Sequence, residues 1–158
     1  GPMSEFTHLD DDGRVHMVDV GDKAVTRREA VATAMVSMER GTRVALFSGD
    51  VRKGDALAVA RIAAIQAVKK TSDLIPLCHP IPVDSVSVDI TEVVGGARLT
   101  VTARTSGKTG IEMEALTGAS LGALAIYDMI KGIDRSATIG PVELQLKDGG
   151  KSGRWERA

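Results

Sequence analysis

The sequence contains little cysteine, few aromatic residues and no excess of charge of either sign. Its one cysteine, Cys78, cannot form a disulfide within the chain, which agrees with a reducing compartment. Aromatic residues make up only 3% of the chain, too few for a surface that stacks bases. A net charge of -1 provides no general basic surface for nucleic acid. We therefore expect no nucleic-acid partner.

Long apolar runs are also missing. No segment approaches the roughly 20 apolar residues that a membrane-spanning helix needs, and the start of the chain does not resemble a secretion signal. We therefore expect a cytoplasmic protein with no membrane partner. The first three residues, GPM, look like the remnant of a protease cleavage site. We expect this remnant and a flexible tail over residues 1–12, followed by a single domain over 13–158.

An alternating pattern of apolar and polar residues predicts two neighbouring strands. Residues 84–94, DSVSVDITEVV, place apolar side chains at every second position. Residues 97–104, ARLTVTAR, alternate in the same way, and Gly95 and Gly96 lie between the two runs. This order predicts a β-hairpin that is closed by a two-residue turn.

Two predicted helices flank the hairpin. Residues 54–70 are rich in helix formers and have apolar residues at nearly every angle, which predicts a helix buried on more than one side. Residues 112–132 form a long, mainly uncharged stretch that ends in Lys-Gly, a typical helix stop. Gly118 and Gly122 each destabilise that helix by roughly 1 kcal/mol relative to alanine. We therefore expect another backbone, most simply a second helix, to pack closely against them.

The remaining segments decide the fold class. Residues 26–38 fit either one face of a helix or a strand with small side chains. We favour the strand, because the order then becomes β-α-β-β-α-β with a last strand at 142–147, after Gly140 and Pro141. The predicted fold is α+β: a ferredoxin-like subunit with an antiparallel sheet and helices on one face.

Cys78 and His79 lie in a segment that is rich in proline, LIPLCHPIP. A zinc site needs three or four ligands, whereas the chain offers one cysteine and three histidines, one of them His8 near the start, so we expect no metal. Adjacent side chains usually point apart, which argues against a nucleophile with its base. Cys78 also fits a small buried apolar position. The prolines stiffen the segment, which is either a loop that positions a ligand or a connector between helix and strand.

Charged residues mark both ends of the second helix. Glu112 and Glu114 suit its positive N-terminal end, and Asp128 and Lys131 share one face near its C-terminal end. Capping and a surface ion pair would explain them without any further function. The 14 residues between Glu114 and Asp128 span roughly 21 Å at ~1.5 Å per residue. One small ligand that contacts both ends therefore requires two subunits.

The segment KDGGKSG, residues 147–153, has glycines and a Lys-Ser pair like a phosphate-binding loop. It is not a Walker motif, because that motif requires a glycine at the position of Gln145 and a following helix. It is either a basic loop that wraps an anion or a solvated tail.

Taken together, several short segments resemble the MoaC family of molybdenum cofactor biosynthesis. They occur in one order along the chain: HMVDV at 16–20, KGD at 53–55, DLIPLCHP at 73–80, GKTGIEMEAL at 107–116, IYDMIK at 126–131 and GGKSG at 149–153. The resemblance covers about residues 7–155. It implies a ferredoxin-like catalytic subunit, a homohexamer built as a trimer of dimers, and active sites at the dimer interface.

The resemblance also implies a reaction and its site. The substrate is 3',8-cyclo-7,8-dihydroguanosine 5'-triphosphate, the products are cyclic pyranopterin monophosphate and diphosphate, and no cofactor is expected. Asp128, Lys53 and Lys131 match the family's catalytic positions. The matching substrate-binding positions are Leu77, Cys78, His79, Met113, Glu114, Glu112, Arg28, Lys147 and Lys151.

This chemistry suits the matched residue types. Lysine moves protons at neutral pH if burial or neighbouring cations lower its pKa, which we expect for Lys53 and Lys131. Asp128 would orient Lys131 or set its charge. Cations around a triphosphate would stabilise the departing diphosphate without a metal. The competing interpretation is a ligand-sensing module without catalysis, since ferredoxin-like folds serve both functions.

Overall fold

A computed structural model describes residues 14–158, so the predictions for residues 1–12 and for His8 lie outside the described part. None of the helices in 14–158 is long and apolar enough to cross a membrane. The elements in chain order are β1 Thr26–Ser37, α1 Arg40–Ser48, α2 Ala56–Lys69, α3 Thr71–Leu74, β2 Ser85–Val93, β3 Gly96–Gly107, α4 Glu112–Ile130, β4 Thr138–Asp148 and β5 Trp155–Glu156.

The strands form one antiparallel sheet in the order β2-β3-β1-β4-β5. The ambiguous segment 26–38 forms the strand β1, Thr26–Ser37, and its alternate alanines, Ala30, Ala32 and Ala34, are fully buried. Without the short edge strand β5, the order is that of the split β-α-β fold, in which each helical crossover spans a central strand. The predicted α+β, ferredoxin-like fold is therefore confirmed.

The core lies between one face of the sheet and the pair α2 and α4. Close packing explains the two glycines of α4: a Cβ at Gly118 would lie 2.6 Å from Val68 Cγ2, and one at Gly122 would lie 3.2 Å from Ala64 Cβ. Both of these neighbours belong to α2, so the predicted contact between two helices is confirmed. The Cβ at Gly122 would also lie 2.6 Å from Leu99 Cδ2 on the sheet. Helix α4 therefore packs against both α2 and the sheet.

Several elements differ from the sequence prediction. Helix α1, which ends at Gly49 with φ 79°, and the single turn α3 were not predicted. Strand β4 begins before the Gly140–Pro141 bond, which is cis, rather than after it. Val142, at the start of the predicted strand 142–147, is 36% exposed.

Two further differences concern the hairpin and α2. The turn between β2 and β3 is formed by Val94 and Gly95, one residue earlier than predicted. Gly96 already lies in β3, where a Cβ would lie 1.9 Å from the carbonyl oxygen of Val36. Helix α2 is buried on its alanine side, yet it exposes Val59 and Ile62. Some of the apolar side chains of α2 therefore face solvent rather than the core.

Candidate active site at the two ends of helix α4

The N-terminal end of α4 buries a carboxylate. Glu114 is only 3% exposed, and the thiol of Cys78 donates a hydrogen bond to Glu114 Oε2 over 3.5 Å. Burial raises the pKa of Glu114 above its ordinary value of 4.5, because a poorly solvated carboxylate is disfavoured as an anion. Glu114 therefore keeps its proton up to a higher pH than an exposed glutamate does.

Cys78 is half-buried beside this carboxylate. Burial, followed by the charge of Glu114, raises the pKa of the thiol to about 11. A thiol with this pKa is a poor nucleophile at neutral pH, because only the thiolate reacts. Cys78 is half-buried rather than fully buried, and its thiol also contacts a carboxyl oxygen, so its surroundings are not purely apolar. Leu77 and His79 are half-buried on either side of Cys78 in the same loop.

Glu112 begins α4 and is paired with a strand residue. Lys147 Nζ, near the end of β4, lies 3.3 Å from Glu112 Oε1. Within residues 14–158 the other oxygen, Glu112 Oε2, is buried and accepts no hydrogen bond. A buried acceptor without a hydrogen-bond partner lowers the stability of the folded state by about 1–3 kcal/mol. A donor on a bound ligand would satisfy it.

Arg28 holds the loop that leads into α4. Its Nε donates to the carbonyl oxygen of Gly107 over 3.0 Å, and its Nη2 donates to that of Lys108 over 3.3 Å. Gly149 and Gly150 pack against the same arginine: a Cβ at Gly150 would lie 2.3 Å from Arg28 Nη1. Gly149 and Gly150 therefore have a packing role, which the sequence did not predict.

The C-terminal end of α4 carries an exposed group of charges. Asp128 Oδ1 lies 2.9 Å from Lys131 Nζ and 3.4 Å from Lys53 Nζ. Lys53 also donates to the carbonyl oxygen of Asp128 over 2.8 Å, and this carbonyl is one of the last four of the helix, which lack a partner within it. The loop after α1 thus brings Lys53 onto the end of α4, as a cation at the negative end of the helix dipole.

The pKa values at this end shift because of neighbouring charges. Hydrogen bonds from Lys131 and Lys53 lower the pKa of Asp128, and the bond to Asp128 raises the pKa of Lys131. The expected lowering of the pKa of Lys131 is therefore wrong for the single chain, since the ammonium group is exposed and lies beside an anion. In this state Lys131 is a cation and a proton donor.

The predicted site residues thus form two groups in one chain. The N-terminal cluster is defined as Arg28, Cys78, Glu112, Glu114 and Lys147. The C-terminal cluster is defined as Lys53, Asp128 and Lys131. Met113 is 38% exposed on the first turn of α4, and Lys151 is exposed after the two glycines. Glu114 and Asp128 of the two clusters lie near opposite ends of α4, roughly 21 Å apart along the helix at ~1.5 Å per residue, so a single chain does not bring the clusters together.

The sequence did not single out a groove of about 520 Å³ beside Arg28. Arg104 and Ser106 line it from β3, and Asp84 lies beside them, since Ser106 donates to Asp84 over 3.0 Å. The alternation of β3 could have shown that Arg104 and Ser106 share the polar face. Among residues 14–158 no three His, Cys, Asp or Glu side chains form a group that could hold a metal ion.

Comparison with known proteins gives consistent results. The sequence profile of the MoaC family matches residues 17–150. A protein of Jannaschia sp. that is named cyclic pyranopterin monophosphate synthase is 51% identical over 156 residues, which cover 98% of this chain and 96% of the relative. Relatives with the same name from Dinoroseobacter shibae and Corynebacterium glutamicum are each 50% identical, and 98% or more of each relative is covered. The chain therefore belongs to the MoaC family.

Proposed function

We propose that this chain is a cyclic pyranopterin monophosphate synthase, a lyase of molybdenum cofactor biosynthesis. It converts 3',8-cyclo-7,8-dihydroguanosine 5'-triphosphate to cyclic pyranopterin monophosphate and releases diphosphate. The observation that carries this proposal is the identity of 50% or more, over almost the whole chain, to three relatives of that name. Residues 13–158 form the single catalytic domain.

The two clusters suit different parts of this substrate. Making a cyclic monophosphate from a triphosphate forms one P–O bond at the first phosphorus while the bond to diphosphate breaks. Lys53 and Lys131 provide positive charge for the departing diphosphate, and such fixed charges often contribute most to catalysis. The free oxygen of Glu112 and the carboxyl of Glu114 suit the N–H groups of the ring system.

The acid-base steps are assigned to the C-terminal cluster. Lys131 is charged beside Asp128, so it donates a proton first and acts as a base only after it has lost one. Asp128 contacts both lysines through one oxygen and therefore holds the two ammonium groups together. Leu77, His79, Met113 and Lys151 complete the proposed binding surface. No cofactor takes part in this proposal.

Each active site is proposed to need two subunits. The clusters lie at opposite ends of α4, and a substrate of nucleotide size does not span both ends of one copy. We assign the active sites to the interface of a dimer, with three dimers in a hexamer in the cytoplasm. Light scattering on the purified protein checks the assembly, and a stable monomer with full turnover would contradict it.

Purified protein mixed with the cyclic triphosphate tests the reaction directly. We expect release of diphosphate by the wild type, and a loss of at least roughly 10²-fold in Lys53→Ala and in Lys131→Ala, because each variant removes a proton-transfer group. Both variants should keep the far-UV circular dichroism of the wild type, since both side chains are exposed.

Lys23→Ala is the matched control, an exposed lysine outside both clusters that should keep full turnover. If the wild type binds the triphosphate without releasing diphosphate, the chain is a ligand-sensing module. If either cluster variant turns over as fast as the wild type, the lysine mechanism is wrong.

A further inference from the structure

We propose that Asp134 is a positioning residue of the C-terminal cluster: its buried carboxylate joins the start of α1 to the end of α4 and thereby holds Lys53 at that end. The inference rests on the proposed function, because it assigns to Asp134 the placement of a lysine that acts in the reaction. Asp134 lies four residues after α4 and belongs to neither cluster. The sequence prediction did not include it.

The carboxylate of Asp134 binds two separate parts of the chain. The residue is only 4% exposed. Its Oδ2 accepts a hydrogen bond over 2.8 Å from the backbone N–H of Glu39, just before α1. Its Oδ1 accepts from the backbone N–H and the hydroxyl of Ser136 over 2.9 Å and 2.6 Å. The backbone N–H of Asp134 donates over 3.0 Å to the carbonyl oxygen of Ile130, the last residue of α4. One buried side chain therefore ties α1 to the end of α4.

Helix α1 takes its cap from this carboxylate. Glu39, the residue before the helix, makes no side-chain cap hydrogen bond, and the first turn contains no acidic residue. Asp134 supplies an acceptor for one of the first N–H groups of the helix, together with the negative charge that this end of a helix dipole favours. The side chain of Thr42, in the first turn, also bonds to the carboxylate. These hydrogen bonds, that of the Ser136 hydroxyl first, lower the pKa of Asp134, so it is an anion at neutral pH.

The other end of α1 leads directly to Lys53. The helix ends at Gly49, whose N–H donates to the carbonyl oxygen of Ala45, and Lys53 follows four residues later. Lys53 then donates to the carbonyl oxygen of Asp128 over 2.8 Å. Helix α1 and its loop therefore form a bridge with both ends attached to the end of α4. One attachment is the buried Asp134, and the other is Lys53 itself.

The buried attachment fixes the geometry better than the exposed one. The side chains of Lys53 and Asp128 are 46% and 57% exposed, and an ion pair in water holds its two partners only weakly. Hydrogen bonds to a charged carboxylate are stronger than those between neutral groups, and burial keeps water from replacing them. A displacement of about 1 Å in a catalytic group lowers the rate by roughly 10²-fold. Lys53 therefore needs a firm anchor in the backbone, and Asp134 supplies it through α1.

The start of α2 is the alternative anchor for Lys53. Asp55, two residues after Lys53, caps that helix by accepting a hydrogen bond from the N–H of Ala58 over 3.1 Å. If this cap alone positions Lys53, the loss of the bond between Asp134 and α1 leaves the lysine in place. The two anchors therefore predict different results for a change at Asp134.

The reactivity of Lys53 tests its position without the reaction. A limiting amount of N-hydroxysuccinimidyl acetate acetylates exposed lysines, and mass spectrometry measures the rate at each one. In Asp134→Asn, Lys53 should react roughly two- to fivefold faster than in the wild type, because it loses its ion pair with Asp128. The rate at the exposed Lys23 in the same protein should not change. An unchanged rate at Lys53 would overturn the proposal.

Two further variants separate the link to α1 from a general loss of stability. Ser136→Ala is the matched control: it removes a hydrogen bond to the same carboxylate but keeps the bond to α1, so the rate at Lys53 should stay that of the wild type. An equal rise in Ser136→Ala would overturn the proposal. If Asp134→Asn does not fold, Thr42→Val removes a bond from α1 to the same carboxylate and should also raise the rate at Lys53. An unchanged rate there would be equally decisive against it.

Turnover in two backgrounds tests whether Asp134 acts through Lys53. In the otherwise wild-type protein, Asp134→Asn should lower kcat roughly 10-fold or more, because the lysine is displaced. In Lys53→Ala, the same change should lower the residual turnover by less than about twofold, since no lysine is left to position. An equal loss in both backgrounds would show a purely structural role and overturn the proposal. An inactive wild type would refute the proposed reaction alone, and the acetylation rates would still decide the position of Lys53.

Discussion

The two ends of α4 differ in how their charges are held. At the N-terminal end, Glu114 is buried against the half-buried Cys78, and loss of water is the main cause of their pKa shifts. At the C-terminal end, Asp128 and Lys131 are exposed, and their pKa values follow from each other's charge. A change at the buried end therefore alters stability and thiol chemistry. A change at the exposed end should alter turnover alone, since exposed ion pairs contribute little to folding.

The largest expected effect is that of Asp128→Asn on turnover. Asparagine has nearly the same shape but no charge, so it no longer draws both ammonium groups to one point, and the pKa of Lys131 falls. We expect diphosphate release to fall by roughly 10²-fold or more, as for the loss of an acid-base group. The pH profile of turnover should also shift to lower pH at its basic limb.

Stability is the control for this variant. The midpoint of thermal unfolding of Asp128→Asn should match the wild type, because the carboxylate is exposed. Asp22→Asn, an exposed aspartate outside both clusters, should change neither turnover nor the midpoint. A marked loss of stability in Asp128→Asn would show that the exposed end is structural, and the contrast between the two ends would fail.

The second effect concerns the reactivity of Cys78. A thiol with a pKa of about 11 in place of 9.0 forms about 100-fold less thiolate at pH 8. Iodoacetamide should therefore alkylate Cys78 about 100-fold more slowly than a thiol introduced by Val94→Cys, at a position that is 96% exposed. Mass spectrometry of both sites in one protein measures the ratio.

The limited access of iodoacetamide to a half-buried thiol also slows alkylation. The pH dependence of the rate distinguishes this effect from that of a raised pKa. The rate at Cys78 should keep rising up to about pH 10, while the rate at the introduced thiol levels off near its ordinary pKa. A rate at Cys78 that levels off together with the control would show that Glu114 and burial leave its pKa unchanged.

The fold could largely be predicted from the sequence, because its strands alternate and its helices end at clear signals. The strand at 26–38 was the ambiguous element, and it was resolved only by the order of the elements around it. Helix α1 was missed because its four apolar residues are consecutive and show no helical period. A contact distant in sequence fixes the start of α1: Asp134, after α4, accepts a hydrogen bond from the backbone of Glu39. Local patterns do not contain such contacts.

The family resemblance supplied the candidate residues of the site, which stay a prediction, whereas their environment could not be read from the sequence. Spacing along α4 correctly placed Glu114 and Asp128 at opposite ends of one helix. It did not show that Glu114 is buried against Cys78, because the loop that carries Cys78 reaches α4 only through tertiary packing. The predicted direction of the pKa shift at Lys131 was wrong for a related reason: the fold leaves its ammonium group exposed and hydrogen-bonded to Asp128, and this bond raises the pKa.

The smallest effect is the dependence of stability on pH in Glu114→Gln. Folding raises the pKa of Glu114 above 4.5, so the wild type loses stability as pH rises from 4.5 through the higher value of the folded state. Glutamine does not ionise and avoids this loss. Between about pH 4 and pH 8 the variant should therefore gain on the order of 1 kcal/mol relative to the wild type, the usual cost of a poorly solvated polar group. Urea unfolding at both pH values measures it, with the exposed Glu39→Gln as control. A difference in unfolding free energy between variant and wild type that stays constant with pH, or that favours the wild type at high pH, would contradict this prediction. It would mean that the carboxyl group of Glu114 is as well solvated as an exposed one.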